Sequence, residues 1–115
     1  MSGRSGRLSA FAAATLVAGA LAGCGRGAPR SVRHVVTIAK VAYDPAVLDV
    51  AAGDTVEWRN RDLVPHTVTA RGGAWDSGVL APDSSWTMVV GGRDSVRYDC
   101  RLHPTMHGVL FVRSR

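Results

Sequence analysis

Three residues that bind soft metal ions lie within seven consecutive positions near the C-terminus. Cys100, His103 and Met106 offer a thiolate, an imidazole and a thioether, and His66 lies upstream at the start of another predicted strand. Thiolate and thioether favour Cu(I), whereas imidazole binds both copper oxidation states, so the mixed set is stable through a one-electron change. Two His and one Cys with a distant axial Met are typical of electron-transfer copper sites. The spacing therefore predicts one copper ion with these four residues as ligands.

Each candidate ligand also has a simpler interpretation. A solitary Cys100 fits a buried thiol or half of an intermolecular disulfide, His66 fits a locally hydrogen-bonded strand-end residue, and Met106 fits a core position. The four residues in register favour ligation. His107 follows Met106 directly and is a further potential ligand. Neighbours in a strand point to opposite faces, so we expect His107 at the surface or beside the ligands, and not in the place of Met106. We expect His34 to be solvated.

The segments that must position these ligands are short and apolar or alternating, divided by turn residues, with no period of 3.6. They predict strands over residues 35–41, 46–50, 55–60, 64–70, 85–90, 95–100 and 108–112, with a weaker, irregular element over 75–80. Seven or eight short strands at this spacing indicate an all-β antiparallel sandwich or barrel. Three Trp are expected in its core: Trp58, Trp75 and Trp86.

The N-terminal segment reads as an export signal. Two Arg precede an apolar stretch, from Leu8 to Ala20, that is too short and too rich in Ala and Gly for a membrane-spanning helix. The run Leu21-Ala22-Gly23-Cys24 resembles the bacterial lipobox, which is cleaved before a Cys that carries diacylglycerol. An ordinary signal peptide with an incidental Cys is the alternative. We expect a lipoprotein signal peptide over 1–23, a lipidated Cys24 with a short tether over 24–33, and one domain over 34–115.

The charge balance changes when that signal is removed. The 115 residues carry 14 Lys+Arg and 9 Asp+Glu, a net charge of +5, whereas the 92 residues from Cys24 onward carry 12 and 9, a net charge of +3. The basic residues form no run, which argues against a nucleic-acid partner. Docking to an acidic redox partner or to an anionic membrane fits the remaining charge. With Cys24 lipidated, no second Cys is left to form a disulfide within the domain.

The loop and several strand motifs resemble the cupredoxins, the blue copper proteins, and specifically the amicyanin and pseudoazurin–plastocyanin group. Amicyanins carry the shortest copper loop, Cys-x2-His-x2-Met, and Cys100, His103 and Met106 match it. Residues 35–45, 52–60, 65–69 and 77–82 and the Tyr98-x-Cys100 approach also look like the family, so the resemblance covers residues 34–115. It implies a Greek-key β-sandwich or barrel and one type 1 copper ion.

The resemblance implies an electron carrier and not an enzyme. In this family the C-terminal His ligand reaches the surface through an apolar patch that serves as the electron port. That patch would comprise His103, Leu63, Val64, Pro65, Leu102 and Pro104. Copper enzymes of this fold need His-x-His pairs, and the binuclear site of respiratory oxidases needs two loop Cys; the sequence has neither.

The protein is expected to be a monomer that is lipid-anchored on the extracytoplasmic membrane face and exchanges electrons with protein donors and acceptors. The alternative is a copper-binding module for sequestration or delivery, although delivery favours flexible sites rich in Met and His.

One departure from the family pattern concerns the residue after the first His ligand. The family often has Asn there, and its side chain ties the two copper-bearing loops together. This chain has Thr67, so the tie is either weaker or made by the hydroxyl group. Asn60 and Thr67 are expected beside the ligands. Arg101 lies inside the loop, where we expect it to raise the local electrostatic potential.

Overall fold

A computed structural model describes residues 6, 12–16, 19 and 30–114. Within them the chain forms eight strands and no helix: β1 (Arg33–Ala39), β2 (Ala42–Asp44), β3 (Val47–Ala51), β4 (Thr55–Asn60), β5 (Thr69–Ala70), β6 (Ser85–Val89), β7 (Val96–Cys100) and β8 (His103–Arg113). No helix in this described part has the length and hydropathy needed to cross a membrane. Cys24, expected to carry lipid, lies outside the described residues, as does most of the predicted signal peptide.

The strands form two four-stranded sheets, which confirms the predicted all-β sandwich. The strand orders are β2-β1-β4-β6 and β3-β8-β7-β5. Most pairings are antiparallel, but β1 pairs with β4 and β3 pairs with β8 in parallel. These two parallel pairs join strands distant in the sequence, and the alternation of apolar residues within each strand does not reveal them.

The core between the sheets is built around aromatic rings. Trp58 and Tyr98 are fully buried and meet edge to face, with ring centroids 5.5 Å apart. Trp75 and Trp86 are partly buried and pack against the same cluster. Gly108 lies opposite Tyr98 in the β7–β8 register, and a Cβ at this position would lie 2.6 Å from Tyr98 Cε2 and closer still to Cζ and the hydroxyl. The tyrosine ring therefore requires glycine at this point of the strand.

Three differences between the strands and the prediction exceed two residues. The last strand, predicted over 108–112, begins five residues earlier, at His103. The strand predicted over 64–70 is regular only at Thr69–Ala70, because the amide groups before it pair with the irregular segment 75–80, including a bridge between His66 and Leu80. The short strand Ala42–Asp44 was not predicted.

His34 was expected to be solvated, and that expectation is wrong. The first strand begins at Arg33, and its register sets His34 opposite Val56. The side chain of His34 is 18% exposed, and its Nε2 lies 2.9 Å from Oδ2 of the buried Asp54. Asp54 also accepts the backbone N–H groups of Val32 and Ala51, so this pair fixes the point where the chain enters the domain.

The two ends of the sandwich, along the direction of the strands, contain different residues. At the first, which we call the ligand end, β4 and β7 finish and β8 begins at His103. At the other, the tether end, β1 and β4 begin and β8 finishes at Arg113. Thr55 N–H donates to the carbonyl of Val32 and Ala52 N–H to that of Arg113, which closes the tether end. At about 3.3 Å per residue, the 11 residues of β8 separate the two ends by about 30 Å.

Candidate metal centre

Three of the four predicted ligands converge at the ligand end. Cys100 Sγ lies 3.8 Å from His66 Nδ1 and 3.7 Å from His103 Nδ1. The three donor atoms all lie within 4.8 Å of one another, and the two imidazole rings are 4.6 Å apart between centroids. Cys100 and His66 are buried, whereas His103 is half-buried. His66, which lies 34 and 37 positions before the other two residues, thus joins them in presenting one sulfur and two nitrogens to a common point.

These separations are of the size expected for donors that share one metal ion. Bonds of about 2.3 Å to sulfur and about 2.0 Å to nitrogen give a sulfur–nitrogen separation of about 3.5–3.7 Å at angles between the tetrahedral value and 120°. The two sulfur–nitrogen distances in the structure are 3.8 and 3.7 Å. One Cys sulfur with two imidazoles is the donor set of an electron-transfer copper site.

The junction between β7 and β8 explains how one short segment supplies three of the predicted ligands. Cys100 pairs with His103 across a two-residue turn, whereas the preceding residue, Asp99, pairs with His107. Three residues of β8, Pro104 to Met106, are therefore left without partners on β7. Such a bulge re-aims side chains. Met106 is 1% exposed and belongs to the same buried cluster as Cys100.

His107 lies on the other face of this strand. Its side chain is exposed, and Nδ1 contacts the carboxylate of Asp99. Arg71 also donates to that carboxylate, through two bonds of 2.8 and 3.1 Å. Arg71 first, and His107 after it, lower the pKa of Asp99 to about 2. His107 therefore belongs to a surface ionic cluster that faces away from Cys100.

Asn60 fixes the loop that carries His66. It is fully buried at the end of β4, where its Nδ2 donates to the carbonyls of Val64 and Leu80, at 3.0 and 2.9 Å. Its Oδ1 accepts the N–H of Asp62 at 2.9 Å. One amide side chain thus ties both ends of the loop 61–65 to the neighbouring segment and sets the position from which the imidazole of His66 projects.

Asp62 orients His66, a role that sequence reasoning missed. Oδ2 of Asp62 lies 2.8 Å from Nε2 of His66 and 2.9 Å from the amide nitrogen of Val41. The bond from the Val41 amide and then the bond from the His66 ring lower the pKa of the Asp62 carboxyl. An ionised carboxylate only accepts hydrogen bonds, so Nε2 of His66 donates to it and Nδ1 is the ring nitrogen that faces Cys100. An Asp four residues before a candidate ligand His is the signal that was available in the sequence.

Thr67 connects the two ligand-bearing segments through its hydroxyl group. The backbone N–H of Thr67 points at Cys100 Sγ, with a separation of 3.2 Å, and its Oγ1 accepts the N–H of Arg101 at 2.9 Å. The hydroxyl of buried Tyr43 donates to the carbonyl of Thr67. Burial raises the pKa of Tyr43, which keeps this donor protonated. Backbone and side chain of Thr67 are therefore both fixed against the segment after Cys100.

Arg101 closes a ring of hydrogen bonds around Thr67. The Thr67 hydroxyl contacts that of Thr69 at 2.9 Å, Thr69 donates to Asp76 at 3.2 Å, and the guanidinium of Arg101 donates to the same carboxylate. The positive charge of Arg101 is thus balanced by Asp76. The expectation that Arg101 raises the local potential is therefore met only in part, because the ion pair weakens its field.

Five apolar residues next to the candidate ligands in the sequence are exposed. Leu63 is 92% exposed, Leu102 46% and Val64 39%. Pro65 and Pro104 are also exposed. Leu102 and Pro104 flank His103 in the sequence, and Leu63 to Pro65 immediately precede His66.

Known proteins share both the sequence and this architecture. Amicyanin of Paracoccus denitrificans is 31% identical over 109 residues, which span 90% of this chain and 73% of that protein. The chain belongs to the amicyanin family of cupredoxins. An amicyanin variant solved in its reduced state is 30% identical with a TM-score of 0.65, over 69% of this chain and 80% of that one. A purple cupredoxin from Nitrosopumilus maritimus is 25% identical with a TM-score of 0.63, over 69% and 98% of the two chains. No protein-family model matches the chain.

Membership of the amicyanin family agrees with the donor set and with the fold. Amicyanins are blue copper electron-transfer proteins, and the Cys-x2-His-x2-Met loop of that family is present from Cys100 to Met106. The separations among the donor atoms of Cys100, His66 and His103 fit the copper ion that this membership implies.

Proposed function

We propose that this protein is a membrane-tethered blue copper electron carrier in which His66, Cys100, His103 and Met106 bind one copper ion. The observation that carries the proposal is that two imidazole Nδ1 atoms, of His66 and His103, lie 3.8 and 3.7 Å from the sulfur of Cys100. Bound copper supplies one-electron chemistry by alternating between Cu(II) and Cu(I). The thioether of Met106, which is buried in the same cluster as Cys100, would supply the fourth ligand.

The surrounding residues act by holding the donor atoms still. One-electron transfer is fast only when little geometry changes between the two oxidation states. Asn60 fixes the loop before His66, Asp62 fixes the ring of His66, and Thr67 fixes the segment after Cys100. The amide of Thr67 also points at the sulfur, at 3.2 Å, and so helps to fix its position.

We assign the exchange of electrons to the apolar surface around His103. His103 is the ligand that reaches solvent, and Leu63, Val64, Pro65, Leu102 and Pro104 are exposed beside it. An exposed apolar patch of this kind marks a protein contact site. It suits brief docking of a donor and an acceptor, one after the other, by a monomeric carrier.

The location follows from the N-terminal sequence. Cleavage before Cys24 and diacylation of its thiol would anchor the domain, residues 34–115, on the extracytoplasmic face of a membrane through the tether 24–33. Two acyl chains are enough for stable anchoring. The family's carriers do no chemistry on a substrate, and the same holds for this protein in the proposal.

Repeated redox cycles with a Cu(I) chelator present test this function. The copper-loaded protein is reduced and reoxidised, and copper retention is followed at each step. A carrier keeps its copper over many cycles because the donors are held rigidly. Rapid loss of Cu(I) to the chelator would favour copper delivery, and failure to reoxidise would reject electron transfer. The variant Asp83→Asn, which removes an exposed carboxylate at the ligand end, is the control and should keep its copper as the parent does.

A further inference from the structure

The charges at the ligand end of the domain cancel. Three basic residues lie there among three acidic ones: Lys40, Arg61 and Arg101 with Asp62, Asp76 and Asp83. Arg101 pairs with Asp76, and Arg61 lies 3.9 Å from Asp83. Between the two ends lie three Arg and four acidic residues: Arg59, Arg71 and Arg97 with Asp44, Asp49, Glu57 and Asp99. Neither region has a net positive charge among the described residues.

Among the described residues, the excess of basic over acidic side chains lies at the tether end. Four Arg are exposed there: Arg30, Arg33, Arg93 and Arg113. The acids of this end are Asp94 and Asp54, and Asp54 is buried against His34. Arg33 shares Glu57 with Arg59.

The chain that leads to Cys24 leaves the domain at this same end. Val32 is held there by two backbone bonds of 2.9 Å, one to the Asp54 carboxylate and one from the Thr55 amide. Only eight residue steps separate Cys24 from Val32, and even a fully extended chain of that length reaches about 27 Å. A lipid on Cys24 would therefore keep the basic end of the domain close to the membrane.

We infer that the tether end is a docking surface for anionic lipid, and that this contact orients the domain on the membrane. Arginine side chains at the tether end contact acidic lipid headgroups, while the ligand end points away, about 30 Å from the surface. The apolar patch around His103 is then presented to partners and not to the bilayer. The inference rests on the proposed lipid anchor for its biological setting, whereas the contact itself is electrostatic and needs no lipid on Cys24.

Vesicle sedimentation tests the contact directly. The chain of residues 24–115 with Cys24→Ser contains every described strand and the described core, and is mixed at low salt with vesicles of phosphatidylcholine alone or with added phosphatidylglycerol. We expect binding only to the anionic vesicles, and release as salt is raised. Equal binding to both vesicle types, or none to the anionic ones, would overturn the inference.

Two matched double variants locate the contact. Arg93→Gln with Arg113→Gln removes two charges from the tether end, and Lys40→Gln with Arg61→Gln removes two from the ligand end. Each basic residue near an anionic surface changes partitioning about fivefold, so the first pair should bind about 25-fold more weakly. The second pair should change binding less than about twofold. An equal loss in both pairs would show that only net charge matters and would reject an oriented contact.

A separate measurement keeps the inference independent of the anchor. Labelled palmitate supplied to cells that produce the full chain tests acylation of Cys24. Absence of label would refute the anchor and leave the vesicle result unaffected. Loss of the vesicle preference with label present would refute the docking surface and leave the anchor in place. Copper binding, read from the visible spectrum, is affected by neither result.

Discussion

The backbone N–H of Thr67 lies 3.2 Å from Cys100 Sγ, although 33 residues separate the two in the sequence. This contact joins the segment that carries His66 to the end of β7. The hydroxyl of Thr67 adds a second contact, to the amide of Arg101. One buried residue thus positions the sulfur through its backbone and the following turn through its side chain.

The two contacts of Thr67 can be separated by substitution. Thr67→Val keeps the backbone N–H but removes the acceptor for Arg101 N–H and the partner of Thr69. Loss of a largely buried hydroxyl network of this kind should lower the free energy of unfolding by about 1–2 kcal/mol. Urea unfolding of the copper-free protein measures the change. Thr67→Ser, which keeps the hydroxyl, is the control and should lose less. Equal losses in the two variants would contradict a role for the hydroxyl.

Asp62 should set copper affinity without being a ligand. In Asp62→Asn an amide replaces the carboxylate that fixes the Nε2 proton of His66, and removal of such a partner weakens metal binding by about tenfold or more. Competition with a copper chelator measures the affinity. Asp83→Asn makes the same charge change at a side chain that is 86% exposed, and should leave affinity unchanged within about twofold. Equal effects in both variants would indicate a general charge effect and contradict the orienting role.

Gly108 should be intolerant of any side chain. A Cβ at Gly108 overlaps the ring of Tyr98, which is fully buried and packed against Trp58. Gly108→Ala should therefore cost at least about 3 kcal/mol of unfolding free energy. Gly91→Ala is the matched control, because no heavy atom lies within 4 Å of a Cβ there, and it should change stability by less than about 0.5 kcal/mol. Similar stabilities of the two variants would contradict the packing described.

Acid should destabilise the domain partly through Glu57. Hydrogen bonds from Arg59 and then Arg33 lower the pKa of Glu57 from 4.5 to about 2. The unfolded chain then binds a proton more readily than the folded one, so this carboxylate stabilises the fold above about pH 4.5. That contribution disappears as the pH falls toward about 2. Chemical unfolding at a series of acidic pH values should show the decline.

The variant Glu57→Gln measures how much of the acid-induced loss of stability comes from Glu57. The variant should be less stable than the parent at neutral pH and should lose less stability on acidification over the same range. Asp49→Asn, at an exposed site in β3, provides the charge control. An unchanged acid profile in Glu57→Gln would refute the assignment to Glu57.

The features that the sequence predicted well depend on local periodicity or on one compact motif. The fourth strand, Thr55–Asn60, has the predicted bounds, because Val56 and Trp58 alternate with polar residues and both are fully buried. The loop from Cys100 to Met106 holds three predicted ligands within one short segment. The structure brings the donor atoms of Cys100 and His103 together with that of His66, and their role as copper ligands stays a prediction.

The features that sequence reasoning missed depend on how distant segments meet. Asp62 reaches His66 because Asn60 folds the loop 61–65 back on itself, and no periodicity encodes that fold. Asp76 reaches Arg101 across 25 residues and balances its charge. The inward position of His34 required knowing that β1 begins at Arg33 and that Asp54 is buried opposite. Contacts between loops depend on tertiary packing, and the alternation of apolar residues within one strand does not predict them.

The visible absorption spectrum of the Cu(II)-loaded protein tests the central claim, that Cys100 and two His hold copper at a blue copper site. A thiolate bound to Cu(II) in this donor set should give an intense band toward the red, with one copper per chain. Cys100→Ser should abolish the band. Binding of copper without the intense band, or a band that survives in Cys100→Ser, would contradict the account.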